Sequence, residues 1–131
     1  MVPYKKNLPC FFFSFFVLIC DMHSSSNAKE NNALIRHVVC FKFKQDASSN
    51  QIEKVETEFG ALKNKIPGIL SLEWGLNNSP ENLNKEFTHC FIVSFVDEKA
   101  RQTYLPHPDH KAFIKILKPI LDDVFVIDFT P

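Results

Sequence analysis

Glycine is scarce in this chain, with three among 131 residues. That scarcity leaves no glycine-rich phosphate loop, so phosphoryl transfer on such a cradle has no support. No Gly-x-Ser-x-Gly elbow and no Cys-x-x-Cys pair occur, which removes elbow-type serine hydrolysis and thioredoxin-like redox chemistry. Acidic and basic residues balance at 15 each. No basic stripe gathers, so nucleic acid is not an expected partner.

The longest apolar run, Cys10 to Cys20, carries five phenylalanines behind Lys5 and Lys6. It is too short to span a bilayer comfortably and has the length of a signal-peptide core. Ser26-Asn27-Ala28 then offers small residues at the expected cleavage positions. Residues 1–28 therefore read as an export signal, which implies a secreted or periplasmic protein with no stable membrane insertion after cleavage. Residues 29–33 read as a polar leader and 34–131 as the domain. From Lys29 onward there are 13 Lys+Arg against 14 Asp+Glu, a net charge of −1. Cys40 and Cys90 remain, either bridged or as buried thiols, with the thiols the plainer expectation.

The domain alternates strand and helix patterns. Leu34–Lys44 has period two, with His37, Val39, Phe41 and Phe43 on one face and Val38, Cys40, Lys42 and Lys44 on the other. Ser48 or Ser49 caps a helix whose apolar face is Ile52, Val55, Phe59, Leu62 and Ile66, and Pro67-Gly68 stops it. Ile69–Gly75 is a second strand, with Leu70, Leu72 and Trp74 on one face. Asn77–Lys85 is a loop, and Phe87–Phe95 a third strand with His89, Phe91, Val93 and Phe95 on one side. Asp97 caps a short helix to Tyr104; Pro106 breaks it and Pro108 opens another, marked by Phe113, Ile116, Leu117 and Ile120. Val124–Phe129 is the last strand, apolar on both faces.

The order β-α-β-β-α-β is the split βαβ plan, an α+β, ferredoxin-like subunit. Helices cover one face of such a sheet. The other face, with Val38, Cys40, Ile69, Ile92 and half of the last strand, calls for a second copy packed sheet to sheet, a homodimer.

The chemistry concentrates in Tyr104-Leu-Pro-His107-Pro-Asp-His110. His110 as general base with Tyr104 as partner could enolise a carbon beside a carbonyl. The same histidines could instead cap a helix, or, with Asp109, form a weak divalent-metal set. His37 and His89 share the helix-covered face, on strands that are neighbours in this topology, so the two imidazoles are expected to approach one another. Read as a pocket, the candidate ligand-binding residues are His37, His89, Val39, Phe59, Phe91 and Phe113. Neither a metal nor another cofactor is expected.

The residues His37–Lys44, Trp74-Gly75, Thr88-His89, His107-Pro-x-His110 and Ile127-Asp-Phe-Thr-Pro131 together resemble the stress-responsive A/B barrel (Dabb) family across about 34–131. The resemblance implies ferredoxin-like subunits dimerised into an α+β barrel. It also implies two kinds of member: plant stress-associated proteins, and a plant polyketide cyclase that performs aldol chemistry without metal. In that enzyme the positions matching His110 and Tyr104 serve as base and substrate-placing phenol, and His37 and His89 match its strand histidines. Ala112 and Ile114 stand where the cyclase has glycines, and Glu56 where it has a pocket aromatic, so the same polyketide substrate is not implied. Three readings follow: an exported binder of a small hydrophobic or aromatic ligand, a cofactor-free cyclase, lyase or isomerase, and a structural oligomeric stress protein.

Overall fold

A computed structural model describes residues 34–131. The proposed signal and leader lie outside the described residues. Seven elements run in the order β1 (Ile35–Phe43), α1 (Ser49–Lys65), β2 (Ile69–Leu76), β3 (His89–Phe95), α2 (Glu98–Tyr104), α3 (Pro108–Leu117) and β4 (Leu121–Phe129). The strands form one antiparallel sheet in the order β2-β3-β1-β4. This is the ferredoxin-like architecture expected from the element order.

Local chemistry sets the helix ends. Ser48 accepts from the backbone N–H of Gln51, whose side chain returns to the Ser48 N–H, a reciprocal capping box. Gly68 takes φ +89°, the left-handed turn from α1 into β2. A Cβ there would lie 2.5 Å from the Ala100 Cβ, so the backbone also passes close against α2. Asp97 caps α2 through the Ala100 N–H.

The core lies between the sheet and the helices. Phe41, Phe59, Phe91, Phe95 and Tyr104 are all about fully buried. Phe59 stacks on Phe113 at 4.6 Å and packs on Phe91 at 4.4 Å, joining α1, α3 and β3 through aromatic contacts.

Strand ends differ from the pattern reading by a few residues. β4 begins at Leu121 because Leu121 already pairs with Phe43, and β3 begins at His89, two residues later than its apolar pattern. A register shift between Ile69 and Ser71 changes the face assignments in β2. Ile69 sits opposite Phe95 and packs against the core, so it does not belong to the open face as expected. Leu70, expected to share a face with Leu72 and Trp74, is left exposed. A one-residue irregularity reverses side-chain direction in a strand, which alternation alone does not reveal.

The open face of the sheet is apolar in its middle. Across the strands, Val38 stands between Ile92 and Ile127, and Cys40 between Cys90 and Phe125. Phe125, Ile127 and Phe129 are each about half exposed. At one corner Arg36 Nη1 is buried without a hydrogen-bond partner among the described residues.

Candidate functional site

A cavity of about 410 Å³ opens between the β1–β4 edge of the sheet and α2–α3. Its walls are mainly apolar, including Val39, Phe59, Phe113, Leu117 and Val126. Its polar groups are few: His37, Tyr104, His110 and Lys118. An apolar hollow with a few convergent polar groups is the usual form of a small-molecule site.

His110 is placed by the junction of two helices. His107 caps α3, its Nδ1 accepting from the Asp109 N–H at 3.2 Å. One turn on, His110 Nδ1 lies 3.0 Å from the Leu105 carbonyl, at the C-cap of α2. A carbonyl only accepts, so Nδ1 must carry the proton and the neutral ring keeps a lone pair on Nε2. Both histidines thus serve helix ends: His107 caps the start of α3, and His110 satisfies the Leu105 carbonyl at the end of α2 while its Nε2 has no hydrogen-bond partner among the described residues. Burial holds His110 below the usual imidazole value, outweighing the Leu105 hydrogen bond, and the His37 and His107 charges push the same way.

Tyr104 packs edge-on to His37 at 5.9 Å and against His110 at 4.3 Å between ring centroids. It is 1% exposed, and burial raises its phenol well above the ordinary value. The group therefore stays protonated and is suited to donate a hydrogen bond, not to act as base.

His37 is fixed by the end of β4. Its Nδ1–H donates to Asp128 Oδ1 at 2.6 Å, while Arg101 Nη1 donates to Asp128 Oδ2 at 2.6 Å. Arg101 is itself held by two 2.7 Å contacts to Glu98 on the same helix. Sequence reasoning singled out neither Arg101 nor Asp128 as a site residue. The terminal Ile127-Asp-Phe motif was the available signal, and its partner is 91 positions away.

The structure brings His37, Val39, Phe59, Tyr104, His110 and Phe113 around this one cavity. His89 and Phe91 are not in its lining. His37 faces Val93 and His89 faces Phe41 across the β1–β3 ladder, so the histidines are four pairs apart, roughly 13 Å. The expected approach of the two imidazoles does not occur, because antiparallel pairing carries neighbouring strands in opposite directions. His89 instead donates from Nε2 to Glu56 Oε1 at 2.9 Å, and in the neutral ring its Nδ1 accepts from the Thr88 hydroxyl at 2.7 Å. Phe91 is fully buried between Phe59, Phe41 and Trp74. Among the described residues, no group of three or more His, Cys, Asp or Glu side chains is arranged to hold a metal ion.

Comparison with known proteins places these features. The chain is 34% identical over 103 residues to the stress-response A/B barrel domain-containing protein HS1 of Arabidopsis thaliana, covering 79% of this chain and 94% of that one. It is 27% identical over 97 residues to olivetolic acid cyclase of Cannabis sativa, covering 74% and 96%. A dimeric ferredoxin-like protein of unknown function from Bacteroides fragilis superposes with a TM-score of 0.61 at 26% identity, covering 75% and 96%. Residues 35–131 match the family model of the Stress responsive A/B Barrel Domain. The chain belongs to the stress-responsive A/B barrel (Dabb) family.

Proposed function

We propose that this protein binds a small hydrophobic or aromatic ligand in the cavity between the sheet and α2–α3. One observation carries the reading: a 410 Å³ apolar hollow at which His37, Tyr104 and His110 converge. The ligand's apolar body packs on Val39, Phe59 and Phe113, and its polar end meets the Tyr104 hydroxyl and the His110 Nε2. Native mass spectrometry of protein purified from its own source tests this. A retained small molecule is expected, lost in an Ile114→Trp variant that fills the cavity. Ligand-free protein that also fails to bind an environment-sensitive dye such as anilinonaphthalene sulfonate supports a purely structural role.

A second reading, a cofactor-free cyclase, lyase or isomerase, is favoured by the tautomer of His110. With Nδ1 committed to Leu105, Nε2 is the acceptor for a proton from a carbon beside a carbonyl, and Tyr104 donates to the developing oxyanion. The 27% identity to a cyclase supports this class, while Ala112, Ile114 and Glu56 argue for a different substrate. His110→Gln should abolish proton exchange at such a carbon with an unchanged circular-dichroism spectrum if the enzyme reading holds; a variant that unfolds would instead mark His110 as a helix-end residue.

The assembly we infer is a homodimer through the open sheet face. Val38, Ile92, Phe125, Ile127 and Phe129 supply its apolar area, and Arg36 Nη1, buried without a partner among the described residues, would take an acceptor across the interface. Light scattering should give twice the chain mass, and Ile127→Glu should halve it. The reading of residues 1–28 as a cleaved export signal belongs to the same proposal. Intact mass of the natural protein should place its first residue at Lys29.

A further inference from the structure

One face of α3 forms a wall of the His110 cavity. His110, Phe113, Ile114, Leu117 and Lys118 line it, the spacing of a single helical stripe. Lys118, the C-cap, keeps helical backbone angles, so the stripe runs unbroken from His110 to Lys118. Eight helical steps separate the two residues, about 12 Å along the axis. The cavity therefore has an imidazole at one end, an ammonium at the other, and apolar side chains between them. Lys111 and Lys115 of the same helix do not line it; Lys115 belongs to a separate hollow against α1, beside Gln51 and Lys54. No carboxylate lines the cavity, and the Lys118 ammonium forms no ion pair among the described residues.

We propose that the ligand is an elongated carboxylic acid, polar at both ends, lying along α3 with its carboxylate on Lys118 Nζ. The inference rests on the His110 cavity being the ligand site, and adds the chemical class of what that site takes. At the His110 end, a ligand hydroxyl accepts from the Tyr104 O–H and donates to His110 Nε2. At the Lys118 end, a neutral group gains little from the ammonium and an amine is repelled. A carboxylate gains an ion pair beside apolar walls, where the attraction exceeds that in bulk water. The α3 dipole works against an anion at this end of the helix, so the Lys118 charge is the group that admits one. Phe113, Ile114 and Leu117 cover the hydrocarbon between the two polar ends.

The test is calorimetric titration of the full chain with ω-hydroxydecanoate, decanoate and decanol. The hydroxy acid should bind most tightly, and decanoate more tightly than decanol. Lys118→Met should weaken both acids about three- to fivefold, the scale of a partly exposed ion pair. Decanol should stay within about twofold in that variant, and Lys118→Arg should restore the preference for acids. Ile114→Trp should abolish all three affinities, which locates the probes in the cavity; binding that survives it would overturn the proposal. Equal affinity for decanoate and decanol, an equal loss of both in Lys118→Met, or no gain from the ω-hydroxyl would overturn it too, while the cavity reading stands on decanol binding. Failure of every probe, decanol included, would remove the cavity reading and this inference together.

Discussion

His37 Nδ1 and Asp128 Oδ1 stand 2.6 Å apart, joining an imidazole of the first strand to a carboxylate of the last. Arg101 takes the second carboxylate oxygen, so one side chain of β4 anchors both a cavity histidine and α2. The cavity's polar end is held by the same contact that closes the β1–β4 edge.

Asp128 shows how this anchor responds to pH. Burial alone would raise its pKa, but hydrogen bonds from His37 and Arg101 and their charges outweigh it, and the net direction is downward. A carboxyl with a depressed folded value contributes stability that is complete above its unfolded pKa. The contribution is lost as pH falls through the folded value. Asp128→Asn should therefore lower the melting temperature at pH 7, and the gap from wild type should shrink below about pH 4. Thermal denaturation at several pH values checks this; a constant gap would sink the assignment.

His110 titrates in the opposite chemical sense, because its neutral form is the one the fold favours. Its folded pKa is lowered by burial, so its contribution is present above about pH 6.5 and lost as pH falls through the folded value. Nitrogen NMR should show Nδ1 protonated and Nε2 free at pH 7, with a midpoint below about 6.5. Ligand affinity that depends on an Nε2 acceptor should weaken over the same acid range. A midpoint above the ordinary histidine value would contradict the burial argument.

The His89–Glu56 contact should matter for stability and not for the cavity. Glu56→Leu leaves the His89 Nε2–H, in a ring 6% exposed, without its acceptor. A loss of about 1–3 kcal/mol in urea denaturation is expected, as for other buried donors deprived of partners. Dye affinity at the His110 cavity should stay within about twofold, below 0.5 kcal/mol. A large fall in affinity at full stability would place His89 in the ligand site after all.

Gly68 is required twice over, by its φ of +89° and by the Ala100 Cβ 2.5 Å from where its own would be. Gly68→Ala should cost about 2 kcal/mol or more through backbone strain and the clash together. Adding Ala100→Gly should recover the clash but not the backbone part. Full recovery would mean that the left-handed turn costs little here.

Much of this fold is readable along the chain because the signals are local. Ser48, Asp97 and Pro108 mark helix starts through bonds to neighbours within three residues or through a fixed φ. The β1 alternation reports burial directly: Ile35, His37, Val39 and Phe41 are buried in turn. The Ile69–Ser71 irregularity was not readable, since it depends on how β2 meets β3. Nor was the helix end that each histidine serves, His107 at the start of α3 and His110 at the end of α2, which depends on where the Leu105 carbonyl ends up.

What the sequence determined by itself was the element order, the capped helix starts and the two-faced sheet, because each follows from residue spacing and short-range bonding. Tertiary structure decided which histidines share a cavity. His37 and His110 come together while His89 lies about four residue pairs away along the ladder, bonded to Glu56. The reason is that strand direction and register set distances between residues far apart in sequence, and side-chain periodicity says which face a residue occupies but not which end of it.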